Sequence, residues 1–451
     1  MNPTETLASH PPVSTQQAPG PAGHWIFGSL RERRLDPIGF FTSSVRNYGP
    51  IVRYRMGPKT VFQIADPAAI RHVFLENHRS YIKGFGYDKL EPVLGKGLLT
   101  SEGEFWRRQR KLAQPAFHRP RLTALTGMIV QASQELLDRW KPKANRPVGP
   151  ESILDLSDEM TRFALKVASV TLLGKDVSDH ASDVGRALGR LLELANDRIL
   201  SLIQLPESVP TPRALTFRRD RDMLNTVVFG IIEERHRLIA AGHSTSQDLL
   251  GMLMAVKDEE TGERMSDAQL RDEGMTIFLA GHETTANVLT WTLMLLSQHP
   301  SVFQKLTAEV DSVLQGRDPA FEDLGKLRYT LMVIEESMRL YPPAWVLSRE
   351  AVADDQILGY RVPKGSILIA SPYVMHHHPD FWENPEGFRP ERFDPEAPEE
   401  ATKNKFVYMP FGAGPRSCIG KDFALMETQI VLAMIVANFH VDIVPGQTVT
   451  P

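Results

Sequence analysis

The chain has one cysteine, Cys418, which lies in a glycine-rich loop directly before a long apolar segment. A lone cysteine forms neither an intrachain disulfide nor a cysteine-rich zinc site, and it is most often a small buried apolar side chain. Here Arg416 places a positive charge two residues before the sulfur. Segment 419–439 is predicted to be helical, so the sulfur lies at a helix N-terminus that favours a thiolate. Such a shielded thiolate is suited to bind a haem iron.

This loop resembles the cysteine loop of the cytochrome P-450 family, whose pattern is Phe-x-x-Gly-x-Arg-x-Cys-x-Gly. Its fixed positions are filled by Phe411, Gly414, Arg416, Cys418 and Gly420. The resemblance implies a mainly α fold with small β-sheets and a long central helix over the cofactor. It also implies haem b, iron protoporphyrin IX, with Cys418 as the axial ligand of the iron.

Composition is that of an ordinary globular protein, with 42% hydrophobic and 24% charged residues. A net charge of −4 over 451 residues gives no support to nucleic-acid binding. Sparse cysteine fits a reducing compartment. Residues 1–24 are predicted to form a disordered, proline-rich leader without the membrane anchor that many eukaryotic members of this family carry, so we expect a soluble, cytoplasmic protein of bacterial type. We also expect a monomer. Residues 25–451 are predicted to form a single haem-thiolate domain, from which the C-terminal hairpin usual in the family is expected to be missing.

A long central helix is predicted from a capping box at Ser266–Gln269 to about Gln298. A polar patch, Gly281–Thr285, interrupts its apolar sequence. A solvated bend is one interpretation of this patch. A zinc-protease motif is excluded, because Ala286 stands where the second histidine would be required.

The patch also matches the family's central-helix motif, which implies a role in oxygen activation. Ala280 and Gly281 would leave room beside the iron. The Thr284 hydroxyl can bond back to the carbonyl of residue 280. Glu283 and Thr284 are the predicted catalytic pair, relaying the protons needed to break the O–O bond.

Glu336 and Arg339 lie at i, i+3 on one predicted helix, which could be an ordinary surface ion pair. The resemblance implies instead a buried structural network in which Arg392 joins them and braces the cysteine loop.

The resemblance further implies that the two haem propionates are bound by four donors. These are Trp106, Arg110, Arg349 and Arg416. The run His376–His378 could suggest a metal, but three consecutive residues cannot all face one ion. We therefore interpret it as structural.

The substrate pocket is expected, by resemblance, to be apolar, which favours a hydrophobic small molecule such as a fatty acid, terpenoid or drug-like compound. Its predicted members are Phe85, Tyr87, Leu90, Leu98, Ile199, Leu202, Phe278, Trp345 and Val346. Any one of these residues could equally be core packing. A large ring at Trp345 would narrow access to the iron.

The leading functional prediction is a haem-thiolate monooxygenase that hydroxylates or epoxidises its substrate with O₂ and two electrons. A non-catalytic haem sensor or carrier, or a peroxygenase or isomerase on the same fold, are the alternatives. The chain holds no flavin or iron–sulfur domain, so a separate ferredoxin or flavodoxin is the expected electron donor. Its basic docking face is predicted at Arg107, Arg108, Lys111, Arg119 and Lys421.

Overall fold

The computed structural model describes residues 16–449 except 85, 147–148, 177–183, 185, 188, 192–193, 195–208, 244–247 and 448. The described part is dominated by α-helices, as predicted. The helices are α1 (Leu30–Leu35), α2 (Pro37–Tyr48), α3 (Pro67–Arg71), α4 (Glu91–Leu94), α5 (Gly103–Ala113), α6 (Arg119–Ala144), α7 (Leu156–Leu172), α8 (Pro212–Ala240), α9 (Leu249–Ala255), α10 (Asp267–Gln298), α11 (Pro300–Leu314), α12 (Arg328–Leu340), α13 (Pro372–His376), α14 (Glu400–Lys403) and α15 (Lys421–Asn438).

Among the described residues, seven short strands form two small sheets. They are β1 (Ile51–Met56), β2 (Lys59–Ile64), β3 (Tyr81–Ile82), β4 (Leu347–Ala351), β5 (Asp355–Ile357), β6 (Tyr360–Val362) and β7 (Ile367–Ala370). The larger sheet has the order β1-β2-β7-β4-β3, and β5 pairs with β6. The predicted hairpin is confirmed, because β1 and β2 pair antiparallel with Met56 opposite Lys59.

Helix α10 runs through the helical core and packs most extensively along α7. Its start is fixed locally by the predicted capping box: the Gln269 N–H donates to Ser266 Oγ, and the Ser266 N–H donates to Gln269 Oε1. The helix is continuous through the polar patch and ends at Gln298. The patch is therefore not a bend, and its polar groups belong to a regular helix inside the protein.

The buried apolar side chains of the described residues form two separate hydrophobic cores. One is built from the helices around α10 and includes α15. The other lies under the larger sheet and includes Phe41 of α2 and Trp382. The cysteine loop precedes α15 of the helical core, while its Ala413 belongs to the sheet-side core. It therefore lies where the two cores meet.

The described end of the predicted leader packs on the sheet. Ala18 is buried, and the Pro19 carbonyl accepts a hydrogen bond of 2.7 Å from the Arg53 N–H of β1. No helix among the described residues combines the length and apolar character that a bilayer span requires.

Candidate active site

The cysteine loop is a tight structure closed on itself. The Cys418 N–H donates to the Phe411 carbonyl at 2.9 Å, and α15 begins three residues after the cysteine. Gly414 has φ of +70°, and a Cβ there would lie 1.8 Å from the Phe74 carbonyl oxygen. No other residue fits this position without moving the backbone. The loop is therefore held in place from the 72–76 segment as well as from its own helix.

The Cys418 side chain is open to solvent on one side. The surrounding protein removes part of the water around the sulfur, and this desolvation raises the pKa of the thiol, while the Gly420 N–H that bonds the sulfur and the nearby Arg110 lower that pKa. Arg110 is fixed to the loop itself, because its Nη1 donates to the Ser417 carbonyl at 3.0 Å. Desolvation thus opposes the free thiolate, and a bound metal cation would supply the missing stabilisation.

Trp106 and Arg416 lie together at the cysteine loop. The Arg416 guanidinium carbon is 3.9 Å from the centroid of the Trp106 ring. Arg416 also forms an ion pair with Glu102 and donates to the Ser101 carbonyl at 2.8 Å. Three of the predicted propionate donors, Trp106, Arg110 and Arg416, are thus brought together around the cysteine loop.

A second buried cation, Lys83, joins this group and was not predicted. Its Nζ donates to the Leu99 carbonyl at 2.8 Å and lies 4.7 Å from the Tyr87 ring centroid. Burial, and the like charges of Arg349 and Arg416, hold the Lys83 pKa well below its usual range. Lys83 could not be identified from the sequence, because it is distant from the other donors along the chain and a single lysine in a loop matches no motif.

This group has more positive than negative charge. Lys83 experiences Arg349, Arg416 and Arg110 as like charges, and Glu102 is the single opposing charge among the described groups acting on it. Lys83 and Arg349 are only 8% and 7% exposed, so water cannot screen them well. A haem with two propionates would offset this excess and would bring its iron to the cysteine loop. The residues present therefore fit haem b.

Helix α10 carries an exposed stripe in an otherwise buried stretch. Ala280, Glu283, Thr284 and Asn287 are exposed, whereas His282, Thr285 and Ala286 between them are buried. Spacings of three and four residues place the exposed set on one helix face. Asn287 was not predicted, although its spacing from Glu283 and Thr284 could have identified it.

The predicted catalytic pair lies on this stripe. Thr284 Oγ1 donates to the Ala280 carbonyl at 2.6 Å, as predicted. Although the Glu283 side chain reaches solvent, the protein around it removes part of its water, and this desolvation raises the pKa of the carboxyl above its ordinary value. The arrangement can hold and pass a proton along one face of the helix.

Gly281 lies off the stripe. A Cβ at this position would contact Leu172 of α7 at 3.4 Å. That contact favours a role in helix packing, and the predicted role of Gly281 beside the iron stays a prediction.

The Glu336 carboxylate is the centre of a fully buried network. Arg339 donates to it through Nε and Nη2, at 2.7 and 2.9 Å, and Arg392 Nε donates at 3.2 Å. The remaining Arg392 donors bind Glu399 and the Asn384 carbonyl. The three predicted members are thus joined, and Glu399 is a fourth member that the sequence did not indicate.

The histidine run 376–378 begins next to the Glu336 network, where His376 contacts Arg339. His376 is completely buried; its Nδ1 bonds the Arg339 carbonyl at 3.2 Å, and its Nε2 accepts from the Met409 N–H at 3.0 Å. Both ring nitrogens are therefore used in backbone contacts that connect α12 with the start of the cysteine loop.

Most of the predicted pocket residues that the structure describes lie in or against two different hydrophobic cores. Leu98 and Phe278 are buried in the helical core, with Leu90 packed against it. Trp345 instead packs edge-to-face on Phe41, with ring centroids 5.7 Å apart. Val346 also packs on the sheet-side core, whereas Phe85, Ile199 and Leu202 lie outside the described residues.

Much of the predicted basic docking face is neutralised within the chain. Arg107 pairs with Glu104. Arg108 and Lys111 pair with four acidic residues, Asp258, Glu259, Glu260 and Glu263. Of the remaining two, Lys421 is exposed near Phe411, and Arg119 lies over the Phe321 ring.

Comparison with known proteins agrees with this geometry. The profile of the family described as Cytochrome P450 matches residues 18–451. The cyclooctat-9-en-7-ol 5-monooxygenase of Streptomyces melanosporofaciens is 35% identical over 97% of this chain and 92% of the relative. The pentalenene oxygenase of Streptomyces avermitilis is 32% identical over 91% of this chain and 88% of the relative. The carotene epsilon-monooxygenase of Arabidopsis thaliana is 34% identical, covering 90% and 77%.

The chain belongs to the cytochrome P450 family. It is a haem-thiolate monooxygenase that uses haem b, acts on hydrophobic molecules and needs a redox partner. The predicted family, fold class, reaction and cofactor are confirmed. When bound, haem supplies the oxygen chemistry, for which a thiolate ligand favours O–O cleavage.

Proposed function

We propose that the chain hydroxylates or epoxidises a terpenoid. This proposal is supported by the similarity, over nearly the whole chain, to oxygenases whose names refer to cyclooctat-9-en-7-ol, pentalenene and carotene. Leu98 and the α10 residue Phe278 belong to the apolar helical core through which this helix runs, and such surroundings support a hydrophobic ligand.

Site roles are proposed with this activity. Cys418 ligates the iron, while Trp106, Arg110, Arg349 and Arg416 bind the propionates. Glu283 and Thr284 deliver protons. The domain begins near residue 18, where the family match starts and the chain begins to pack on β1.

Electrons come from a separate ferredoxin- or flavodoxin-type protein, and the enzyme acts as a cytoplasmic monomer. The support for an acidic donor is the exposed charge of Lys421 and Arg119 near the cysteine side. A single cysteine also fits a reducing compartment.

A reduced carbon-monoxide difference spectrum, followed by turnover of a terpenoid panel with surrogate redox partners, tests the proposal. The intact protein should show the thiolate-type Soret band, and Cys418→Ser should lose it. Oxygenated products should come from terpenoids in preference to fatty acids. A thiolate-type spectrum with product only from fatty acids would contradict the terpenoid assignment.

A further inference from the structure

Three buried polar atoms on α10 have no hydrogen-bond partner in the described part of the protein: Glu273 Oε1, Thr276 Oγ1 and His282 Nδ1. The first two side chains contact the loop at Leu98 and Gly97. Glu273 is 1% exposed and Thr276 is 4% exposed. Leaving such a group unpaired costs about 1–3 kcal/mol, so each requires an explanation.

Thr276 differs from the four other threonines of its helix, because each of those has a partner; Thr285 donates to Glu427 Oε2 at 3.5 Å. Thr284, Thr290 and Thr292 each donate to the carbonyl four residues earlier, at 2.6–2.8 Å. Thr276 makes no such bond. Its hydroxyl lies against Gly97, where a Cβ would come within 2.1 Å of Thr276 Oγ1. The hydroxyl is thus covered by the loop at Gly97 and has no hydrogen-bond partner among the described residues.

Glu273 is only half satisfied. Its Oε2 accepts from the Leu98 N–H at 3.1 Å. Burial, and the neighbouring charge of Asp272, raise the pKa of Glu273 to about 8, although the Leu98 bond opposes this. The carboxyl is therefore largely protonated at neutral pH and can both donate and accept a hydrogen bond.

Both groups lie on the helix face that leads to the catalytic pair. Steps of three, four and four residues connect Glu273 with Thr276, Ala280 and Thr284. At a rise of about 1.5 Å per residue, Glu273 lies about 10 Å and Thr276 about 6 Å along the axis from Ala280. A terpenoid skeleton is long enough to span that distance.

Resting on the function proposed above, we infer that Glu273 and Thr276 form a polar anchor for the hydroxyl or carbonyl group of an already oxygenated terpenoid. The anchor would hold that group beneath loop residues 95–98 and direct a carbon of the skeleton toward Ala280 and Thr284. A carboxylate ligand would be disfavoured, because Asp272 adds negative charge beside Glu273. The preferred substrate is therefore a neutral alcohol or ketone, supplied by an earlier reaction that installs this oxygen, either hydroxylation or capture of a carbocation by water.

The experiment measures equilibrium binding of three probes to the haem-loaded protein, detected through the change in the haem absorption spectrum. The probes are farnesol, the same triene ending in methyl instead of hydroxymethyl, and farnesoate. The wild type should bind farnesol more tightly than either of the others. Thr276→Val should reduce the farnesol-to-triene affinity ratio by about three- to tenfold, the value of one hydrogen bond, and leave triene binding unchanged.

The second measurement is the melting temperature of each variant. Thr276→Val removes a hydroxyl that has no partner, so its melting temperature should stay the same or rise. Thr292→Val makes the same change at a hydroxyl bonded to the Val288 carbonyl, and it should leave the ratio unchanged. Glu273→Gln should keep the preference for farnesol, whereas Glu273→Met should lose it.

Loop docking requires a separate control. Asp272 accepts from the Lys96 N–H at 2.8 Å, so Asp272→Asn perturbs the loop while both anchor groups remain. An equal loss of the ratio in Asp272→Asn, or an unchanged ratio in Thr276→Val, would overturn the anchor. Either result would leave the carbon-monoxide spectrum and terpenoid turnover intact, so failure of the anchor is distinct from failure of the proposed function.

Discussion

At the scale of single residues, Thr284 offers the clearest test of proton delivery. Its hydroxyl donates to the Ala280 carbonyl on the exposed face of α10. Thr284→Ala should retain haem and substrate binding but divert oxygen to peroxide, because the relay beside Glu283 is lost. Peroxide formed per NADPH consumed should rise severalfold.

The matched control is Thr290→Ala, which removes the same kind of intrahelical bond at 2.8 Å. Its product yield per NADPH should equal that of the wild type. Equal coupling in wild type and Thr284→Ala would remove the proton relay from the mechanism.

Residue roles could be predicted where the signal is local. The Thr284 bond spans four residues, and the cysteine loop is contiguous, so both can be read from sequence. Lys83 and Glu102 could not, because they join Arg416 only through tertiary contacts. For Trp345 the sequence is ambiguous, because a large ring just before a strand can either line a pocket or pack in the core. In the structure it contacts Phe41 of the sheet-side core.

At the scale of elements, Glu336 links α12 to the segment before the cysteine loop. It accepts from Arg339, from Arg392 and from the Arg389 N–H at 2.9 Å. Glu336→Ala would leave two buried guanidinium groups without this partner, which should lower the free energy of unfolding by roughly 3–5 kcal/mol. Urea denaturation, with haem content measured in parallel, should show a destabilised and haem-poor protein.

Glu400→Ala is the comparison, since its carboxylate is 91% exposed and pairs only loosely with Lys403. Its effect should stay within about 0.5 kcal/mol. Fully haem-loaded and equally stable Glu336→Ala protein would show that the network does not brace the loop.

Elements themselves were predictable to different degrees. The capping box determined where α10 begins, because both of its hydrogen bonds lie within four residues. The strand order β1-β2-β7-β4-β3 could not be predicted, since β2 pairs with β7 across most of the chain. Hydrophobic alternation identifies a strand but does not select its partner.

At the scale of the whole molecule, the internal ion pairs revise the docking prediction. Arg108 is bonded to Asp258 at 3.0 Å and to Glu263 at 3.1 Å, so reversing its charge would disturb the fold. Lys421 is exposed and is the better choice. Lys421→Glu should slow reduction by an acidic donor, most strongly at low ionic strength.

Stopped-flow reduction over a salt series measures this effect. Lys364→Glu, the same change on the exposed turn between β6 and β7, is the control and should leave the rate unchanged. Equal slowing in both variants would indicate a general charge effect, and no slowing in Lys421→Glu would remove Lys421 from the docking face.

The contacts of the cysteine loop also set an order of assembly. Arg416 donates to the Ser101 carbonyl, 315 residues earlier, and Arg110 reaches Ser417 across 307 residues. Loop closure over such separations is slow, and a ribosome releases the chain from its N-terminus. The sulfur is therefore positioned only after synthesis has passed residue 418, long after residues 101–110 have left the ribosome, so the haem-binding contacts of the loop form late.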